Sequence, residues 1–222
     1  MREERRLATL WPNIRSNLPP PPATVVELGC GRLGGFVPAL RGGGYNALGI
    51  DPAAPEGVSY QQVEFERSDL PVDLDAIVAC VSLHHVGDPA RVLDRIAGVL
   101  VPGGTVVVIE WDWESFDEAT ARWCFERLAE PDGHGWLRHQ RDQWSGSAQP
   151  WEEYLRGWAT QHGLHSAPRL VRELDARFRR ITCDRGPYFF PELAQTTEAD
   201  ELEAINAGEI RATRIDYVGR LG

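Results

Sequence analysis

The sequence predicts an α/β protein: a mostly parallel β-sheet, doubly wound, with helices on both faces. Three observations carry this. Short apolar runs rich in β-branched residues, at 24–28, 46–50, 76–81 and 105–110, are bounded by turn residues, as expected of strands buried on both faces. Between such runs lie segments with apolar residues at helical spacing, clearest at Val92, Leu93, Ile96, Val99 and Leu100. A glycine-rich turn follows the first strand, and sheets of this class bind ligands outside the carboxyl ends of their strands.

The elements follow in order. Leu7, Leu10, Trp11 and Ile14 repeat at helical spacing, so the first 18 residues read as one helix. Pro19 to Pro22 form a stiff connector. Residues 1–22 are therefore expected to be a helical arm, and 23–222 one main domain. A strand at 24–28 leads through the glycine turn to a short helix near 35–41, with Pro38 in its first turn and Gly42 to Gly44 ending it. Strand two, 46–50, ends at Asp51-Pro52. A weaker third strand spans 58–65, and a strongly apolar fourth spans 76–81. Asp88-Pro89 supplies an N-cap and first-turn pair for a helix reaching about Leu100. Pro102-Gly103-Gly104 stops that helix before strand five, 105–110. The next segment, 111–162, reads as a helical insert with helices near 116–130 and 151–162. It holds seven of the eight tryptophans. Trp151 and Trp158, seven apart, share a helix face suited to packing. A sixth strand is expected at 178–183. A helix at 197–207 has Thr197 and Asp200 at capping-box spacing and Gly208 at its end, and the last strand is expected at 214–219. No internal repeat is present.

Composition excludes several classes. The formal net charge is -10, and all 23 basic residues are arginine. Without lysine there is no Schiff-base chemistry, no ordinary P-loop ATPase and no ordinary protein kinase. The acidic balance argues against nucleic acid as partner. The arginines from Arg169 to Arg180 read as a solvated face. Cys30, Cys80, Cys124 and Cys183 form no C-x-x-C pair, so no metal site is expected and free thiols are. Neither a leader nor a membrane-length apolar run is visible, which suggests a cytoplasmic protein away from membranes.

The strongest motif is Glu27-Leu28-Gly29-Cys30-Gly31-Arg32-Leu33-Gly34-Gly35, a G-x-G-x-x-G turn between strand and helix. Asp51 follows Gly29 by 22 residues, at the end of the next strand, where a carboxylate can hold both hydroxyls of a ribose. This much fits either a nicotinamide dinucleotide or S-adenosylmethionine. Ser68-Asp69-Leu70 after strand three, Ser82-Leu83-His84-His85-Val86 after strand four and Val101-Pro102-Gly103-Gly104 before strand five separate the two. With these segments, residues 20–112 resemble the class I S-adenosylmethionine-dependent methyltransferases, and within them the type 11 group that includes quinone-biosynthesis enzymes.

The resemblance implies a Rossmann-like, seven-stranded sheet with an antiparallel last strand. It implies S-adenosylmethionine as cofactor and S-adenosylhomocysteine as product. Glu27 and the backbone at Gly29 and Gly31 would face the methionine part, Asp51 the ribose hydroxyls, Asp69 with the backbone of Leu70 the adenine, and Val81 or Ser82 the sulfonium, with Cys30 and Pro52 counted among the cofactor-binding residues. Many relatives have glycine where this chain has Leu33. A cation for the cofactor carboxylate or an anionic acceptor must be an arginine, either Arg32 or one from the N-terminal arm.

Methyl transfer depends mainly on alignment, so no triad is required. His84, His85 and Glu110 stand where a base would, although paired histidines there also suit a structural or cofactor-side role. Trp111, Asp112, Trp113, His134, Trp136 and His139 are the acceptor-binding candidates in the insert. Large aromatics suit a small, flat or apolar acceptor, and equally suit packing of the insert onto the sheet. The fourth strand does not end in Asn-Pro-Pro-Tyr, which disfavours nucleic-acid amines and protein glutamine as acceptors. A nicotinamide-dependent oxidoreductase and a non-catalytic binding protein on the same fold are the alternatives.

Overall fold

A computed structural model of the chain describes residues 2–128 and 135–222. Seven strands form one sheet: β1 (Thr24–Leu28), β2 (Asn46–Ile50), β3 (Tyr60–Gln61), β4 (Leu74–Cys80), β5 (Leu100–Trp111), β6 (Phe178–Gly186) and β7 (Arg214–Leu221). Their order is β3-β2-β1-β4-β5-β7-β6. Strands β1 to β5 pair in parallel, while β7 runs antiparallel to both neighbours. This is the doubly wound, Rossmann-like sheet expected.

Side chains alternate across each strand, so the apolar runs build two cores. Val26, Leu28, Ile77 and Val108 pack under α3 (Pro89–Val99) and α7 (Ala167–Asp175). Val25, Val78, Val107 and Ile109 pack under α1 (Arg2–Asn17) and α2 (Val37–Gly42). Leu10, Ile14 and Leu18 are buried in that second core, so α1 is part of the domain and not a detached arm. Arg5 donates to the carbonyls of Phe190 (3.2 Å) and Thr196, tying α1 to the far end of the chain.

The Asp88 carboxylate caps α3 as expected, accepting from Ala90 N–H at 3.0 Å and Arg91 N–H at 3.3 Å. The capping box at Thr197 and Asp200 opens α8 (Glu198–Asn206). Three expectations are corrected. The third strand shrinks to two residues, because its polar sequence is followed by a 3₁₀ turn at Phe65–Arg67. Val81 leaves β4 in a left-handed conformation, φ 53°. Helix α3 ends at Val99, and the Pro-Gly-Gly segment is a shift in register within β5, where pairing passes from Leu100 opposite Leu74 to Thr105 opposite Ala76. The arginine run is solvated as read, with Arg169, Arg172, Arg179 and Arg180 exposed, while the other side of α7 buries Ala167, Leu170 and Leu174.

The insert holds α4 (Glu118–Glu126), α5 (Trp136–Ser145) and α6 (Trp151–Gln161). They enclose a third core around Trp111, Phe116, Trp151, Leu155 and Phe189. Trp151 is fully buried and donates its indole N–H to the Phe116 carbonyl at 2.6 Å. The bend at 188–190 that completes this core is pinned by the buried Glu201 carboxyl, which accepts from Tyr188 (2.8 Å), Phe189 (3.1 Å) and Phe190 (2.6 Å) backbone N–H groups.

Candidate active site

The carboxyl ends of β1, β2 and β4 meet where the sheet's winding reverses, the position at which open α/β sheets bind ligands. Gly29 N–H donates to the Ile50 carbonyl at 2.8 Å, joining the first two strand ends. At Gly29 (φ 77°) a Cβ would overlap the Ser82 side chain, so only glycine lets the loops after β1 and β4 close on each other. At Gly35 (φ 54°) a Cβ would overlap the Glu27 carboxyl, which accepts from Phe36 N–H at 2.7 Å. Leu33 is simply exposed, and the close packing falls to Gly34 and Gly35.

Two cavities open at these strand ends. The first, about 330 Å³, is lined by Gly29, Asp51, Pro52, Phe65, Leu83 and His85 among others. The second, about 440 Å³, is lined by Glu3, Arg6, Glu27, Cys30, Trp136 and Glu192 among others. Gly29 and Val81 line both, so the cavities meet there. A left-handed β-branched residue costs about 1–3 kcal/mol. Val81 is held in that state by its N–H bond to the Ile109 carbonyl at 2.7 Å.

Electrostatics divide the cavities. Burial raises the Glu27 carboxyl to about 8, against backbone N–H bonds that lower it, with Glu3 and Asp51 adding repulsion. A cation arriving beside Glu27 would reverse that rise. Burial opposes the charge on Arg6, yet the nearby Tyr188 and Glu192 hold its pKa above the ordinary arginine value. Its guanidinium lies 4.4 Å over the Tyr188 ring and 3.3 Å from the Glu192 carboxylate. The Cys30 and Cys80 thiols are each pushed up to about 12, mainly by burial, so neither is a nucleophile at neutral pH. His85 is lowered to about 4 by desolvation and then by His84, whose ring centroid is 4.0 Å away.

Most of the expected cofactor residues come together. Glu27, Gly29, Cys30, Asp51, Pro52, Val81 and Ser82 line one or both cavities. Gly31 lies beside Glu3, with the carboxyl 3.5 Å from where a Cβ would stand. Asp51 accepts from Ala53 N–H at 2.7 Å, which fixes its carboxylate at the rim. Asp69 and Leu70 do not join the cavity lining. Asp69 is exposed with its carbonyl bonded to Gln61, Leu70 packs against the core, and Phe65 lines the wall instead. The shortened third strand, followed by the 3₁₀ turn, explains this.

Among the base candidates only His85 lines a cavity. His84 and Glu110 are buried behind it. His84 Nδ1 lies 2.6 Å from Glu110, whose other oxygen accepts from Ser82 (2.9 Å) and Leu83 (2.6 Å) N–H groups. Their geometry shapes the turn after β4. Of the insert candidates, Trp136 lines the second cavity. Trp111 is buried behind it, ring centroids 5.0 Å apart. Asp112 is buried and bonded to Ser115 (2.6 Å) and Arg185 (2.5 Å). Trp113 points away from both cavities and donates to the His165 carbonyl at 3.3 Å. His139 is exposed and lines neither cavity, and His134 lies outside the described residues. Of the cation candidates, Arg6 lines the second cavity while Arg32 is exposed outside both. Glu3, Phe65, Tyr188 and Glu192 carried no motif. Phe65 reaches it through the 3₁₀ turn after β3, and the other three because α1 and the 187–192 bend fold against the strand ends. Among the described residues no group of three His, Cys, Asp or Glu side chains could hold a metal ion.

Comparisons with known proteins agree with this geometry. A family model described as methyltransferase domain matches residues 1–165. A ubiquinone biosynthesis O-methyltransferase from Colwellia psychrerythraea is 30% identical over 158 residues, which is 63% of this chain and 60% of that protein. Among solved structures, an S-adenosylmethionine-dependent methyltransferase from Mesorhizobium loti shares the fold at a TM-score of 0.56 and 20% identity, covering 95% of this chain and 97% of that one. The N-methyltransferase NodS from Bradyrhizobium japonicum, in complex with S-adenosyl-L-homocysteine, shares it at 0.54 and 16% identity, covering 99% and 87%. With the glycine cradle, Asp51 and the paired cavities in place, and residues 1–165 matched, the chain belongs to the methyltransferase domain family.

Proposed function

We propose that the protein transfers the methyl group of S-adenosylmethionine to a small, flat or apolar organic acceptor, acting in the cytoplasm. The observation that carries the reading is the meeting of two chemically different cavities at Gly29 and Val81. The first suits an adenosine: Asp51 for the ribose hydroxyls, Phe65 and Leu83 for the base. The second suits the amino-acid part at Glu27 and Arg6, and an acceptor against Trp136. When bound, S-adenosylmethionine supplies a methyl group already activated on a sulfonium. The chain's own contribution is positional. Glu27 and Arg6 orient the amino-acid end, Asp51 the ribose, and Trp136 excludes water from the acceptor side. Good alignment of this kind is equivalent to about 7–11 kcal/mol of barrier. His85, neutral above about pH 4, lines the first cavity beside Val81, where the two cavities meet, and can accept an acceptor proton. No helix of the described residues is long and apolar enough to cross a membrane.

Calorimetry with S-adenosylhomocysteine tests the reading. Glu27, at about 8 in the free protein, is largely protonated at pH 7. A ligand ammonium favours its ionised form, so binding is expected to release a proton near pH 7 and to strengthen as pH rises from 6 through 8. The sign for stability is opposite. The ordinary carboxyl value is 4.5, so the free protein holds the extra proton when folded, and Glu27's contribution to stability falls as pH climbs from 4.5 through 8. NADH binding without S-adenosylhomocysteine binding would establish the oxidoreductase alternative. On the acceptor side, Trp136→Ala is expected to lower turnover at least about tenfold with little change in cofactor affinity. Equal loss of both would return Trp136 to a packing role.

A further inference from the structure

We propose that His165 is a positioning residue for cofactor binding, fixing the 82–87 wall of the first cavity from the insert side. The inference rests on the methyltransferase reading above. His165 lies in the turn between α6 and α7, and four hydrogen bonds converge on it. Its backbone N–H donates to the His84 carbonyl at 3.0 Å. Its ring Nε2 lies 2.7 Å from the Val86 carbonyl, and Arg169 Nη1 lies 3.0 Å from its Nδ1. Trp113 donates to its carbonyl at 3.3 Å.

The partners assign the tautomer. A carbonyl oxygen only accepts and a guanidinium only donates, so Nδ1 accepts from Arg169 and Nε2–H donates to Val86. Val86, with Leu83 and His85, forms one wall of the first cavity. That wall is a short turn without a side-chain cap of its own. Glu110 holds its beginning through the Ser82 and Leu83 N–H groups. His165 holds its end through the His84 and Val86 carbonyls. The same helix α6 carries Trp158, whose ring is 5.3 Å from Trp136 at the second cavity. One turn of chain thus braces the cofactor wall and is continuous with the acceptor wall.

The test uses two amides that mimic different ring nitrogens. Glutamine can carry an N–H near the Nε2 position and reach Val86, whereas asparagine reaches only the Nδ1 position. His165→Asn is expected to weaken S-adenosylhomocysteine binding about tenfold, the effect of one lost hydrogen bond. It should also speed amide hydrogen exchange at 83–87 with the rest of the sheet unchanged. His165→Gln is expected to restore affinity to within about threefold of the parent. A purely structural role would tie both variants to melting temperature and give no such rescue. Unchanged exchange at 83–87 in a folded His165→Asn protein, or equal affinities for the asparagine and glutamine variants, would overturn the proposal. Failure of the unmodified protein to bind S-adenosylhomocysteine would instead overturn the methyltransferase reading, while the exchange measurement would still decide whether His165 braces the wall.

Discussion

Asp51→Ala is expected to weaken S-adenosylhomocysteine binding by about 10²–10⁴-fold, the loss of two charge-assisted hydrogen bonds of roughly 1.5–3 kcal/mol each. The carboxylate stands at the end of β2, on the rim of the first cavity, and is oriented by Ala53 N–H at 2.7 Å. The other carboxylates lining that cavity, Glu64 and Glu66, stand on the segment after β3 and not at the end of β2. Asp51→Asn keeps one oxygen and should fall between the two. Folding should change little, because the side chain is only half-buried and anchors one local turn. Calorimetric affinity close to the parent's in Asp51→Ala would mean that the first cavity does not hold a ribose.

The second large effect concerns stability. Glu110→Ala is expected to destabilise the fold by about 3–5 kcal/mol, because it leaves the Ser82 and Leu83 N–H groups and the His84 ring without their buried partner. For a chain of this size that lowers Tm by roughly 10 °C. Glu110→Gln retains a carbonyl oxygen for the two backbone groups and should lose less. The result separates two roles for the same residue. A large drop in Tm with normal turnover per folded molecule identifies Glu110 as the anchor of the turn after β4. A normal Tm with lost turnover would identify it as a base acting from the end of β5.

How far the sequence reached depends on the kind of residue. Glu27, the glycines at 29, 34 and 35, and Asp51 were legible because local backbone demands fix them. A strand must turn sharply into a helix, and only glycine tolerates φ 77° against Ser82. The cap at Asp88 and the box at Thr197 were legible for the same reason. Asp69 shows the limit of carrying roles over from the resemblance. The resemblance placed it at the adenine, whereas β3 is two residues long and Phe65, not Asp69, lines the cavity wall. The tryptophans of the insert show a second limit. Their number implied an aromatic pocket or an aromatic core, and periodicity assigned only Trp151 and Trp158 to packing. Trp151 is core, Trp113 packs half-buried at the edge of that core and bonds His165, and Trp136 lines the second cavity.

The sequence by itself determined the α/β class, the order of most elements, the glycine turn after β1 and the carboxylate at the end of β2. These depend on side-chain periodicity and on backbone geometry within a few residues. Only the tertiary structure decided the second cavity. Its walls are drawn from Arg6 in α1, Trp136 in α5 and Glu192 near the end of the chain, segments that share no spacing rule. They meet because the apolar faces of α1 and the insert bury against the sheet, and because Glu201 and Arg5 hold the 188–196 segment in place. The absence of lysine was visible at once, and it required any cation at the site to be arginine. Arg6 comes to line the second cavity because the start of α1 packs over the strand ends.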